Sequence, residues 1–165
     1  MAIIIFLFFS TIGEALAGFH LKRSGGNKYQ ITYKCCKTPK PGTPTPVDNP
    51  FTDDGRGGLV YLDRQDIKCE NSYLSRFKMN RKPGGGQYRF SYTCYDVPGE
   101  KQCQALTTNM NADGGGNGNT VYLDRHDVKC PDLHYLSRWH LKRDGKGDNI
   151  QFEYTCCKGL PQPGK

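Results

Sequence analysis

Three stretches of the chain alternate apolar and polar positions. In YQITYKCC (29–36) the apolar side runs Tyr29, Ile31, Tyr33 and ends on Cys35. In YRFSYTCY (88–95) it is Tyr88, Phe90, Tyr92 and Cys94, and in IQFEYTCC (150–157) it is Ile150, Phe152, Tyr154 and Cys156. Successive side chains of a strand point to opposite faces, so this period of two predicts strands with one face in a core. A second strand precedes each, with Phe19 and Leu21, Phe77 and Met79, and Trp139 and Leu141 inward. The segments between, SGGN, KPGGG and DGKGDN, supply glycine for reversals, and each pair of strands is expected to form an antiparallel hairpin. No segment carries a helical period.

The patterns recur. VYLDRQDIKC (60–69) returns as VYLDRHDVKC (121–130), and LSRFKMNR (74–81) returns as LSRWHLKR (136–143), a period of about 61 residues; LAGFHLKR (16–23) is an earlier partial copy. The expectation is an all-β chain of tandem three-stranded antiparallel units, each stapled by disulfides and joined to the next by Pro/Gly-rich linkers. A first, incomplete unit spans 1–36, a linker 37–58, a second unit 59–95, a linker 96–120, a third unit 121–157 and a tail 158–165. Within a unit the VYLDR-x-D segment is read as a strand lying beside its own hairpin.

Eight cysteines in small repeated units indicate a disulfide framework and an oxidising, extracellular setting. The economical pairs are Cys69 with Cys94 and Cys130 with Cys156, because one cysteine ends the first strand of a unit and the other faces inward at the end of the last. Each such staple contributes roughly 3 kcal/mol for a loop of this length. The third unit owns an extra cysteine, Cys157, and its incoming linker carries Cys103; the second unit has Tyr95 instead and a linker without cysteine. That coincidence predicts Cys103 with Cys157. Cys35 and Cys36 are left over.

The start of the chain reads in two ways. Residues 1–17 have the apolar run and Ala15-Leu16-Ala17 ending of a secretory signal, yet no Lys or Arg precedes the run. Aligning Leu16 with Leu136 instead sets residues 1–10 on 121–130, with Ser10 in the place of Cys130. Ile3, Ile4, Ile5, Phe6, Leu7, Phe8 and Phe9 would then form an apolar strand that must be covered, by its own hairpin or by another copy of the chain. The run is too short to span a membrane as a helix.

Composition narrows the functional classes. Apolar residues make up 36% of the chain, with 20 Gly and 10 Pro, and the net charge is +7. The proline-rich KTPKPGTPTPVDNP (37–50) suggests an extended spacer, with Thr38, Thr43 and Thr45 as O-glycan candidates. A basic row on the outer side of the second strands, comprising Lys22, Arg76, Lys78, Arg138, His140 and Lys142, is a candidate contact for acidic polysaccharide or glycans. No cofactor or metal site is expected; the Asp/Gly loops lack the regular ligand spacing of a calcium loop. The repeated Asp63/Asp66 and Asp124/Asp127 are read as ion-pair partners of arginine rather than as an acid–base pair, since residues three apart on a strand face opposite sides. His126 replaces Gln65 between copies, which argues against a shared catalytic role.

The sequence therefore points to a non-catalytic extracellular structural protein, a subunit of a fibre or matrix built from copies of itself. A secreted lectin-like module is the alternative. Neither nucleic acid nor a membrane span is expected.

Overall fold

The computed structural model describes residues 14–23, 29–37, 42–70, 72–96, 101–113, 120–145 and 148–158. Among them the fold is all-β, with three short 3-10 segments and no α-helix. Three hairpins form its frame: β1 (Glu14–Arg23) with β2 (Tyr29–Lys37), β6 (Ser72–Arg81) with β7 (Gln87–Asp96), and β11 (His134–Arg143) with β12 (Asn149–Lys158). Phe19 lies opposite Tyr33, Phe77 opposite Tyr92 and Trp139 opposite Tyr154. Each hairpin carries one register irregularity at the same place, between Leu16 and Gly18, Leu74 and Arg76, and Leu136 and Arg138. An extra residue there resets the alternation. Leucine and an aromatic residue three positions later consequently both turn inward, which strict alternation forbids.

The hairpins share one core. Leu16, Leu74 and Leu136 are fully buried, and the rings of Phe19, Phe77 and Trp139 meet with centroids 5.5, 5.4 and 5.1 Å apart. A smaller cluster gathers Ala15, Tyr73, Tyr135 and Cys157. Ala15, Leu16 and Ala17, which resemble a signal cleavage site in sequence, are thus built into β1. Removal of residues 1–17 would take a leucine out of the core. Residues 1–13, and with them Ile3 to Phe9, lie outside the described residues.

Two expectations about the units differ from the fold. The VYLDR segments are 3-10 turns, Leu59–Arg64 and Thr120–Arg125, closed by bonds such as Gln65 N–H to Leu62 O and His126 N–H to Leu123 O. Only β5 (Asp66–Lys68) and β10 (Asp127–Lys129) extend. Neither pairs with its own hairpin. β5 pairs with β11, setting Ile67 opposite Trp139, and β10 pairs with β1, setting Val128 opposite Phe19. The irregularity in the receiving strand explains the exchange: Cys69 donates its N–H to Ser137 O at 2.8 Å, and Cys130 donates to Ala17 O at 2.8 Å. Ser137 Oγ returns a bond to Cys69 O at 2.7 Å. Gly18 admits β10, since a Cβ there would collide with the Val128 carbonyl oxygen.

The segments expected as spacers also contribute strands. β3 (Pro44–Asp48) and β4 (Thr52–Asp53) pair with β7, while β8 (Gln102–Thr107) and β9 (Asn111–Ala112) pair with β12. Pro44 and Pro46 sit on β3, an edge strand, where a missing N–H can face solvent. The three sheets are thus β10-β1-β2, β6-β7 flanked by β3 and β4, and β5-β11-β12 flanked by β8 and β9.

Candidate functional site

The cysteines divide into a closed framework and an open pair. Disulfides join Cys69 to Cys94, Cys130 to Cys156, and Cys103 to Cys157, the pairs that cysteine placement singles out. The first two tie the ends of β5 and β10 back to their own hairpins although the backbones of those strands pair with β11 and β1 of other hairpins. The third fastens β8 onto β12, with Cys103 and Cys157 directly opposite. Cys35 and Cys36 are free thiols, both partly exposed, at the end of β2. Burial, with help from Glu14 and Cys36, pushes the Cys35 thiol up to about 11. Burial also raises Cys36, against a lowering pull from Lys34. Both are therefore mostly protonated thiols at neutral pH.

The surroundings of that pair set it apart. β7 is covered by β3 and β4, and β12 by β8 and β9, whereas among the described residues no strand pairs with the outer side of β2. Tyr33 on β2 is 50% exposed, against 6% for Tyr92 and 8% for Tyr154 at the same register in the sister hairpins. Lys34 reaches Asp132 at 3.0 Å, a surface ion pair worth little, while Cys36 Sγ lies 3.9 Å from the His134 carbonyl oxygen.

The basic row is largely engaged. Arg138 makes a two-pronged contact with Asp66, at 2.8 and 2.9 Å, and His140 Nε2 bonds the Asp63 carbonyl oxygen at 2.8 Å. Lys142 approaches Glu153 at 3.8 Å. Arg76 donates to Thr93 Oγ1 at 2.9 Å, and Arg76, Lys78 and Lys22 remain exposed. β6 lacks, among the described residues, the short strand that brings an aspartate to β11 and to β1. Thr43 and Thr45 are exposed beside or on β3, and Thr38 lies outside the described residues.

Three of the four repeated aspartates, Asp63, Asp66 and Asp124, pair with an arginine of a neighbouring hairpin, whereas Asp127 lies opposite His20 on β1. Asp63 binds Arg143 at 2.6 Å and Asp124 binds Arg23 at 2.6 Å. The 3-10 turn curls the chain, so Asp63 and Asp66 both face β11 instead of opposite sides. Each is held by its own arginine. Arg64 and Arg125 instead lie over Tyr61 and Tyr122, 4.1 and 4.4 Å from the ring centres. An open cleft of about 290 Å³ lies where β5 meets β11, lined by Lys68, Cys69, Glu70, Ser137, Arg138 and Thr155.

Sequence reasoning passed over Gln65 and His126 as functional groups, and both prove to be interior fasteners. Gln65 Oε1 accepts from Phe90 N–H at 3.3 Å, and its amide donates to Thr52 Oγ1 at 2.7 Å. Among the described residues no group of His, Cys, Asp and Glu is arranged to hold a metal ion, and no helix is long and apolar enough to cross a membrane. No family model, curated protein or solved structure matches the chain.

Proposed function

We propose that this chain is a non-catalytic extracellular structural protein, a subunit of a fibre or matrix that assembles through strand edges. In this reading the three hairpins are tandem copies of one unit with a period of about 61 residues, and copies of the chain join head to tail. The observation that carries it is the contrast at β2: an edge strand with a half-exposed tyrosine and two free thiols, where both sister strands are covered. An open edge is a template for another strand, and natural proteins usually blunt or cover it. Three disulfides are consistent with an oxidising, extracellular environment.

A second reading, a lectin-like module, is favoured by the open cleft where β5 meets β11, a concave surface that Lys68, Glu70 and Thr155 help to line. Electron microscopy of the purified protein separates the two. Ordered filaments that vanish when residues 1–12 are deleted, with the remaining fold intact, support the first. Dispersed monomers retained on a glycan surface support the second and overturn the first.

A further inference from the structure

The three disulfides differ in their surroundings and in what they hold. Cys69–Cys94 and Cys130–Cys156 lie inside the main core cluster, and none of their four cysteines is more than 6% exposed. In the third, Cys157 is 2% exposed, whereas Cys103 is exposed together with Gln102 and Gln104 on either side of it. The first two fasten a short strand to the inward end of its own hairpin. The third fastens only a covering strand to the hairpin beneath it.

A covering strand does not need that bond. On β7 the register sets Pro44 opposite Tyr95 and Val47 opposite Tyr92, the places that Cys103 with Cys157 and Leu106 with Tyr154 hold on β12. Tyr95 stacks on Tyr73 at 5.5 Å, and β3 stays paired from Pro44 to Asp48 with no cysteine of its own. β8 likewise has fastenings beyond the disulfide, all toward its far end. Leu106 packs against the core cluster. Thr108 N–H donates to Phe152 O at 3.0 Å, and Thr108 Oγ1 accepts from Phe152 N–H at 2.9 Å.

We propose that Cys103 is a site of reversible mixed-disulfide formation with a low-molecular-weight thiol, and that opening Cys103–Cys157 frees Gln102–Gln104 from β12 while Leu106 and Thr108 keep the rest of β8 in place. This goes beyond the proposed function and does not depend on whether copies of the chain assemble. A thiolate opens a disulfide by attacking a sulfur that it can reach. Of the six bonded cysteines, Cys103 alone is exposed. The small thiolate attacks Cys103 Sγ and a new S–S bond forms. The bond to Cys157 breaks, and the Cys157 sulfur leaves with the electron pair and takes up a proton. Closure reverses the step: the Cys157 thiolate attacks Cys103 Sγ and expels the small thiol. The two core disulfides are shielded from the same attack, so the hairpins keep their packing through the cycle.

The test incubates the full chain with reduced glutathione, quenches samples in acid, traps thiols with N-ethylmaleimide in denaturant and maps the peptides. Cys35 and Cys36 are thiols from the start and serve as the internal reference for trapping. The earliest samples should carry glutathione on Cys103 and a newly trapped Cys157. Opening of Cys103–Cys157 should run at least about tenfold faster than opening of either core disulfide. Amide exchange followed by NMR should then rise across residues 102–105 and stay unchanged across 106–108. A chain carrying both Cys103→Ser and Cys157→Ser should fold and show the same local rise without glutathione. Opening of a core disulfide at an equal or greater rate, glutathione on Cys157, exchange that rises equally through residue 108, or a double variant that does not fold overturns the proposal.

Discussion

His126 follows the 3-10 turn Thr120–Arg125 as Gln65 follows Leu59–Arg64, and an imidazole in place of an amide makes the interior sensitive to acid. Thr108 Oγ1 accepts a bond from Phe152 N–H at 2.9 Å and lies 2.9 Å from His126 Nδ1. His126 Nε2 is buried and finds no hydrogen-bond partner among the described residues. A doubly protonated ring would place a charge and an unpaired N–H inside the core. Burial, followed by the nearby Arg125, accordingly lowers the His126 pKa below its ordinary value, with Asp124 opposing. In the unfolded chain this histidine titrates near 6.5. As pH falls through that value the unfolded state takes up a proton that the folded state resists, so stability is full above about 6.5 and declines toward the lowered folded value. This linkage supplies a slope of at most about 1.4 kcal/mol per pH unit. Denaturant titrations between pH 7 and 5 should show the decline, and His126→Gln, which copies the sister position, should flatten it. An unchanged slope would remove His126 as its source.

At the scale of elements, covering strands matter as much as hairpins. Leu106 on β8 closes over Tyr154, so Leu106→Asp should cost about 2 kcal/mol and expose that ring, a change readable by chemical unfolding and by tyrosine iodination. The hairpins were legible in the sequence because alternation around Tyr33, Tyr92 and Tyr154 is unbroken. The disulfide pairs follow from the gain of Cys157 together with Cys103. The exchange of β5 and β10 between hairpins was not legible, because a three-residue strand such as Asp-Ile-Lys carries no mark of its partner. The leucine and aromatic side chains three apart were a usable signal for the register irregularity. Only the pairing partner Tyr33, Tyr92 or Tyr154 turns that spacing into a bulge. The proline-rich stretch misleads for a physical reason: an edge strand tolerates proline and shares its extended backbone, so β3 resembles a spacer. That no described strand pairs with the outer side of β2 emerges only when the covers on β7 and β12 are known.

For the whole molecule, a core shared by Phe19, Phe77 and Trp139 makes the hairpins mutually dependent. Trp139→Ala should cost about 3–5 kcal/mol and lower a single calorimetric transition, rather than melt the last hairpin and spare the others. Separate transitions would restore the image of independent stapled units. The same interdependence has a consequence in time. β1 lies near the start of the chain, yet the strand that completes its sheet, β10, spans residues 127–129. A chain emerging from the ribosome or a translocon must therefore hold its first hairpin unfinished until most of its length has followed. Contacts of such sequence separation are slow to form, and an exposed strand invites wrong pairings meanwhile. Synthesis of this protein should lean on whatever shields a nascent edge, and a stall before residue 127 should leave a chain that aggregates through β1.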